Sequence, residues 1–345
     1  MLLDKLVPLK SSGSHPDGAR GLKFLVIGGL ALVLMSVLVV VFGWPQLRQG
    51  AAAEPEDRRA ETPEPRTSNN MLGKSEANVE QQKSSHSPAA FYAALDESLD
   101  RRGLKLADVC DLKDAVARRV LEDYGAMFLA SEKVLPPPVC VFESEAEVEK
   151  FQNEARFTLA RVGGDAIELQ PAAMDALLAA REEARRSGLD ITPRGGAEAA
   201  RRSYTDTERL WGTRFLPALA HWQKLGRLSR EQVARLKQLS LKEQVREVLE
   251  LERSGIYFSK DFSKSILYSI AAPGSSQHIA MLALDVEQFM DERVRRILAR
   301  HGWFQTVKSD LPHFTYLGLA ENDLPSRGLR PVKSGEQLFW IPNVE

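Results

Sequence analysis

Two short apolar stretches in the last quarter of the chain carry histidines and aspartates that could do chemistry. SSQHIAMLALDV contains His278 and Asp285, and SDLPHFTYLG contains Asp310 and His313. Imidazole nitrogens and carboxylate oxygens are zinc ligands, and two histidines with one aspartate leave a fourth tetrahedral position for water, as in catalytic zinc sites. The residue types therefore predict a zinc site with His278, Asp285 and His313 as ligands.

The spacing of His278 and Asp285 restricts how the chain can run between them. They are seven residues apart, which corresponds to about 10 Å on a straight helix and about 23 Å on a straight strand. Ligands of one zinc ion lie within roughly 3.5 Å of each other. The chain must therefore bend, and we expect His278 on the loop that follows Pro273 and Asp285 inside a strand.

The other four histidines occur in sequence contexts that predict ordinary roles. His15 and His86 lie in polar segments where solvent exposure is expected. His221 falls within a helical pattern and is expected to pack between helices. His301 ends a helical pattern just before a glycine, where a cationic side chain suits the helix dipole. The histidines available for chemistry are therefore those of the two apolar stretches.

The composition excludes several classes of protein. Lys and Arg number 46 against 47 Asp and Glu, which gives no general attraction to a polyanion, so no nucleic-acid partner is expected. The two cysteines, Cys110 and Cys140, are too few for a disulfide-built scaffold and have no CxxC spacing. They are expected either to pair in an oxidising compartment or to be buried as separate thiols, and the sequence favours neither.

An apolar segment near the N-terminus predicts a membrane anchor. Residues 24–44 are uncharged and would form a helix of about 31 Å, enough to cross a bilayer core. Four basic residues precede the segment, whereas Arg48 is the only one in the first dozen after it. This asymmetry keeps the N-terminus cytoplasmic. The sequence therefore predicts a single-pass membrane protein with the remaining chain on the side of the membrane away from the cytoplasm.

Beyond the anchor, the patterns change from a polar tether to a folded region. Apolar residues three and four apart predict amphipathic helices, among them LQPAAMDALLAAREEARRSG and DERVRRILARHG. Short apolar runs predict strands in PPPVCVFES, LDIT, KSILYSIAAPG, IAMLALDV, WFQTVKS and PHFTYLG. The predicted fold class is α+β: a small antiparallel sheet with flanking helices that carries a single zinc site, preceded by a helical N-terminal region and the transmembrane helix. The predicted divisions are a cytoplasmic tail 1–23, the anchor 24–44, a disordered linker 45–89, a small helical region 90–160, a domain that carries the zinc site, 161–325, and a C-terminal tail 326–345.

Both apolar stretches resemble the motifs of a known family. SQHIAMLALD, which begins at Ser276, resembles the SxHxxGxAxD motif of the zinc peptidases typified by the vancomycin-resistance D,D-carboxypeptidase and D-Ala-D-Ala dipeptidase, which share their fold with the Hedgehog signalling domain. DLPHFTYLG, which begins at Asp310, is similar to the EPWHxRYxG element of that family, and RSY at Arg202 matches part of its SGYRSY element. The resemblance covers about residues 165–318.

The resemblance implies a role for each matching residue. His278, Asp285 and His313 would bind zinc, and Asp310 would be the catalytic base. An arginine would hold the substrate carboxylate or the developing oxyanion; we prefer Arg202, and Arg194 is the alternative because it directly follows a predicted strand. Ser276 and Tyr204 would contact the substrate. These residues are the catalytic, metal-binding and substrate-binding candidates.

The sequence departs from the family pattern at two positions of these motifs. Met281 stands where the family has glycine, so the bend between the ligands must be made without the residue that eases it. Asp310 replaces the usual glutamate and is one methylene shorter, which alters the geometry of proton transfer but not the type of chemistry.

The expected function follows from the resemblance together with the predicted anchor. It is a zinc metallopeptidase of the D,D-carboxypeptidase type that hydrolyses D-amino-acid-containing stem peptides of peptidoglycan. The partners would be the stem peptide and, through one helix, the cell inner membrane, with the catalytic domain in the periplasm or outside the cell. The alternative is an inactive zinc-binding module that binds wall peptide or a partner protein, which the altered base and missing glycine would permit.

Overall fold

Residues 89–345 of the chain are described by a computed structural model. The predicted cytoplasmic tail, the anchor 24–44 and all but the last residue of the linker 45–89 lie outside the described residues. Within 89–345, none of the helices combines the length and the apolar character that a membrane span requires.

The helices follow the amphipathic patterns closely. Segment LSREQVARLKQLSLKEQVREVLELERSG, which has the predicted helical periodicity, forms two helices because Ser229 and Ser240 each begin one with a reciprocal capping box. The α-helices of the described region are α1 Ala90–Asp100, α2 Leu106–Val109, α3 Ala115–Tyr124, α4 Glu145–Ala155, α5 Pro171–Arg186, α6 Tyr204–Lys224, α7 Arg230–Gln238, α8 Leu241–Arg253 and α9 Glu292–Arg300.

The strands form small antiparallel sheets, which confirms the predicted α+β class at this level. The strands are β1 Thr158–Val162, β2 Asp165–Leu169, β3 Ala283–Asp285, β4 Trp303–Phe304, β5 His313–Tyr316, β6 Leu329–Ser334 and β7 Gln337–Pro342. They form two hairpins, β1–β2 and β6–β7, and a three-stranded sheet of order β3-β5-β4. In that sheet Asp285 lies directly opposite His313, so the ladder itself brings two candidate ligands together.

Several strand predictions were wrong because apolar segments were interpreted as β-strands. Segments PPPVCVFES and KSILYSIAAPG have no strand; the second contains the 3-10 turn Ile266–Tyr268 instead. Segment LDIT also has none, and only the following Pro193 forms an isolated bridge, with Val286. These runs are apolar because they pack, with Ile266 and Ile191 fully buried, and burial alone does not make a strand.

Two hairpins were missed although both carry turn residues. Gly163 and Gly164 connect β1 to β2, and Gly335 begins the connection from β6 to β7; all three have positive φ. Two-residue turns with positive φ are typical of hairpins. The predicted C-terminal tail 326–345 thus contains a hairpin whose Phe339 is fully buried.

The larger hydrophobic core is continuous across the predicted boundary at residue 160. Phe128 and Phe151 from the N-terminal side belong to the same buried cluster as Leu284 and Phe314 of the central sheet. A second cluster lies around α6 to α8. The helical residues 90–160 therefore support the sheet that carries the candidate ligands.

Cys110 and Cys140 form a disulfide, with their Cα atoms 5.3 Å apart. Of the two alternatives left by the sequence, pairing is the one that the structure shows. The bond joins α2 to the loop before α4 and spans 30 residues, a closure that stabilises a folded chain by about 3.5 kcal/mol in the chain-entropy account.

Met281 makes the bend between the two ligands of the first motif. Its φ is +54°, in the left-handed region, and its side chain is fully buried. The resembling family has glycine at this position, which adopts such angles without strain. Met281 therefore has the backbone conformation that glycine would favour, and its side chain is nevertheless packed in the core.

We expect Met281→Ala to destabilise the protein more than Met281→Gly. Both variants lose a buried side chain, at about 2–5 kcal/mol, but only glycine relieves the left-handed backbone, which is worth about 1 kcal/mol. Urea unfolding of both variants measures the order. At Met174, a fully buried methionine inside α5, the order should reverse because glycine weakens a helix. An alanine variant at position 281 as stable as the glycine variant would contradict this account.

Candidate metal centre

The three predicted ligands come from a turn and two paired strands. His278 lies in consecutive tight turns over residues 276–281, closed by bonds such as that from the Met281 N–H to the His278 carbonyl at 3.1 Å. Asp285 ends β3, and His313 begins β5 opposite it. The predicted placement, with His278 on a loop and Asp285 in a strand, agrees with these positions.

Three ligand atoms form a nearly equilateral triangle. His278 Nε2 lies 3.1 Å from His313 Nδ1 and 3.4 Å from Asp285 Oδ1, and His313 Nδ1 lies 3.2 Å from Asp285 Oδ1. Bonds of about 2.1 Å to a tetrahedral zinc separate ligand atoms by about 3.4 Å. The His-Asp-His cluster can therefore hold a metal ion, and the triangle has the size that tetrahedral zinc requires.

Gln277 orients the ring of His313. The Gln277 Nε2 donates to the carbonyl of Tyr124 at 2.7 Å, which can only accept. Its Oε1 accepts from Thr315 and lies 2.8 Å from His313 Nε2. His313 Nε2 must then carry the hydrogen, so Nδ1 of the neutral ring presents a lone pair to Asp285 Oδ1.

This tautomer places two acceptors face to face. In the neutral tautomer with its hydrogen on Nε2, His313 presents the Nδ1 lone pair to Asp285 Oδ1 at 3.2 Å and to His278 Nε2 at 3.1 Å. Lone pairs of a neutral imidazole and of a carboxylate that converge on one point are what a metal ion binds. The donor set thus fits a bound metal.

Burial sets the protonation states that metal binding needs. Desolvation lowers the pKa of His278 to about 4, and the positive charge of Arg202 acts in the same direction. Burial opposes the ionisation of Asp285, but His278 and His313 beside it hold its pKa well below the usual range. At neutral pH the cluster therefore offers a neutral His278 and an ionised Asp285, the forms that ligate metals.

We expect Gln277→Leu to weaken zinc binding about 10- to 100-fold, the usual effect of losing a group that orients a metal-bound histidine. Gln277→Glu, which keeps an acceptor for His313 Nε2, should lose less. Competition with a zinc chelator measures both. Gln244→Leu is the control, because Gln244 is a buried amide bonded to Leu239 and Trp211 away from the cluster. Unchanged zinc affinity in Gln277→Leu would contradict this role.

The two candidate arginines are placed differently. Arg202 donates from Nη2 to Asp285 Oδ2 at 2.9 Å and from Nε to the Glu198 carbonyl at 3.0 Å. Arg194 is half exposed, 3.7 Å from Glu287 and stacked over Phe289. Arg202 thus lies beside the cluster and orients a ligand, whereas Arg194 contributes only its backbone N–H, bonded to the Asp285 carbonyl.

The cluster opens into a cleft of about 290 Å³. Of the predicted substrate contacts, Ser276 lines this cleft, whereas Tyr204 lines a separate cavity beside the disulfide. Asp310 lines the cleft. The surrounding protein raises the pKa of Asp310 by desolvation, with His313 opposing and Asp285 adding to the rise.

Sequence reasoning missed two residues of this region. Gln277 directly precedes His278, and its proximity to the motif could have indicated it. Arg214 lines the cleft from α6, far from both motifs, and nothing in the local pattern distinguishes it from other helix arginines.

No protein-family model matches this chain, and no curated protein matches it either. The fold and the cluster by themselves define an α+β domain with three residues that can hold a metal ion.

Proposed function

We propose that the protein is a zinc metallopeptidase of the D,D-carboxypeptidase type. The observation that carries the proposal is the triangle of His278 Nε2, Asp285 Oδ1 and His313 Nδ1, which combines zinc-sized separations with an open cleft. Three protein ligands and one free position are the arrangement of catalytic rather than structural zinc. The motif resemblance supplies the reaction class.

Each residue of the cleft has a separate role in the proposed peptide hydrolysis. His278, Asp285 and His313 would hold zinc, which when bound lowers the pKa of a water molecule and polarises a carbonyl. Asp310 accepts the proton of the attacking water and passes it to the leaving amine, a role that its raised pKa suits. Arg202 keeps Asp285 oriented through Oδ2.

The proposed substrate is the stem peptide of peptidoglycan. A cleft of about 290 Å³ is at the small end of ligand sites and suits the end of a peptide. The Cys110–Cys140 disulfide agrees with an oxidising compartment, as does the predicted anchor that would place the domain in the periplasm or outside the cell.

Metal analysis and a cleavage assay test the proposal together. The full-length protein, purified without chelators, should contain one zinc and should release D-alanine from a peptide ending in D-Ala-D-Ala. The same peptide ending in L-Ala-L-Ala is the stereochemical control. Chelation should abolish release and added zinc should restore it. Protein that contains no metal would refute the proposal.

The second candidate function is an inactive zinc module that binds wall peptide or a partner protein. It is favoured by one observation: within residues 89–345 the Asp310 carboxylate has no hydrogen bond to hold it in place, and it is shorter than the usual glutamate. Full zinc content without cleavage of any stem peptide would support this candidate over the peptidase.

A further inference from the structure

The charges of the cleft are unbalanced in favour of cations. Arg202, Arg214 and Lys260 line it, against the single carboxylate of Asp310. Arg202 is already neutralised by Asp285. Arg214 and Lys260 therefore leave an excess of positive charge in a confined space, where electrostatic attraction for an anionic ligand is strongest.

Arg202 is poorly suited to bind that anion. Its Nε and Nη2 atoms, one edge of the guanidinium, bond to Glu198 and Asp285. Its backbone N–H donates to the carbonyl of His278 at 3.3 Å. If it moved to meet a ligand, Asp285 would lose the group that orients it, so Arg202 acts as a positioning residue for the metal cluster.

The guanidinium of Arg214, unlike that of Arg202, has few hydrogen-bond partners. Its Nε is buried without a hydrogen-bond partner, and Nη1 donates only to the neighbouring Thr213 hydroxyl at 2.9 Å. Neither Arg214 nor Lys260 forms an ion pair anywhere in the described part of the chain. A buried donor without an acceptor is unfavourable, and the planar guanidinium matches a carboxylate with two parallel bonds.

We propose that Arg214, assisted by Lys260, binds the terminal carboxylate of the peptide in the cleft. The inference rests on the proposed function for its choice of ligand. A fixed carboxylate sets which amide reaches the cluster, so these residues would restrict cleavage to the end of a chain. The assignment moves carboxylate recognition from Arg202 and Arg194 to Arg214, a residue outside both motifs.

Binding of matched peptides tests the inference separately from hydrolysis. The ligands are an N-acetylated peptide ending in D-Ala-D-Ala as the free acid and the same peptide as its C-terminal amide. Titration calorimetry uses zinc-loaded protein carrying Asp310→Asn, so that the peptide is not consumed. This parent should bind the acid at least tenfold more tightly than the amide.

Adding Arg214→Ala should weaken binding of the acid about tenfold or more and leave binding of the amide within twofold. Arg214→Lys should have an intermediate affinity for the acid, because lysine keeps the charge but lacks the planar guanidinium. Lys260→Ala should weaken binding of the acid about threefold. Arg253→Ala is the control, an exposed arginine of α8 paired with Glu250.

Two results would overturn the carboxylate site: equal binding of acid and amide by the parent, or an equal loss of both on Arg214→Ala. The zinc content of each variant shows that the cluster is intact. Acid-selective binding that depends on Arg214, in a wild type that never hydrolyses the peptide, would instead refute the peptidase and leave this site standing.

Discussion

Replacing His278 by alanine is expected to remove zinc from the protein and to abolish peptide hydrolysis. His278 supplies one corner of the ligand triangle, and its side chain is almost fully buried. Its loss leaves two protein ligands, so zinc affinity should fall by at least about 10³-fold, beyond the 10- to 100-fold of a residue that only orients a ligand. Elemental analysis after dialysis measures zinc content, and release of D-alanine measures activity.

The matched control is His301→Ala. His301 ends α9, is partly buried and contacts Glu183 at 2.8 Å, away from the cleft. It should keep one zinc and wild-type hydrolysis. Thermal unfolding of both variants with and without zinc separates ligand loss from misfolding: only the wild type and His301→Ala should be stabilised by added zinc. A His278→Ala protein that keeps stoichiometric zinc would contradict the assigned ligand set.

Replacing Asp310 by asparagine is expected to separate metal binding from catalysis. Asparagine keeps the size of the side chain but cannot accept the proton of water, and general bases contribute about 10²- to 10⁴-fold to rate. We therefore expect kcat to fall within that range while zinc content is unchanged. Steady-state release of D-alanine and metal analysis of the same sample test both parts.

Two further variants sharpen this test. Asp310→Glu restores the side-chain length of the resembling family and should retain far more activity than Asp310→Asn. Asp323→Asn, in the exposed 3-10 turn Glu321–Asp323, should leave kcat and zinc content unchanged. Wild-type kcat in Asp310→Asn would exclude Asp310 as the base, and loss of zinc in that variant would instead identify it as a ligand.

The helices and the clustering of His278, Asp285 and His313 could be predicted from the sequence because both depend on local patterns. Apolar residues at helical spacing identified α5 and α9, and the requirement that His278 and Asp285 approach each other predicted a bend between them. The structure places that bend at residues 276–281 and ends it at Met281. The spacing of His278 and Asp285 thus predicted the bend between them, although methionine at position 281 is not the residue type expected in such a bend.

The groups around the ligands could not be predicted because they come from distant parts of the chain. Tyr124 orients Gln277, which orients His313, and these residues meet only through tertiary packing. Arg194 was a reasonable alternative by its position after LDIT, yet its side chain points to Glu287 and Phe289. Proximity along the chain predicts backbone neighbours better than side-chain partners.

The opposition of Asp285 and His313 across β3 and β5 also fixes when the metal can enter. These ligands are separated in sequence by α9 and β4, and a slip of one residue in the ladder would turn His313 to the other face of the sheet. The complete cluster consequently does not exist in an unfolded chain. On the proposed function, metal loading follows folding, so the compartment in which the domain folds must also supply its zinc.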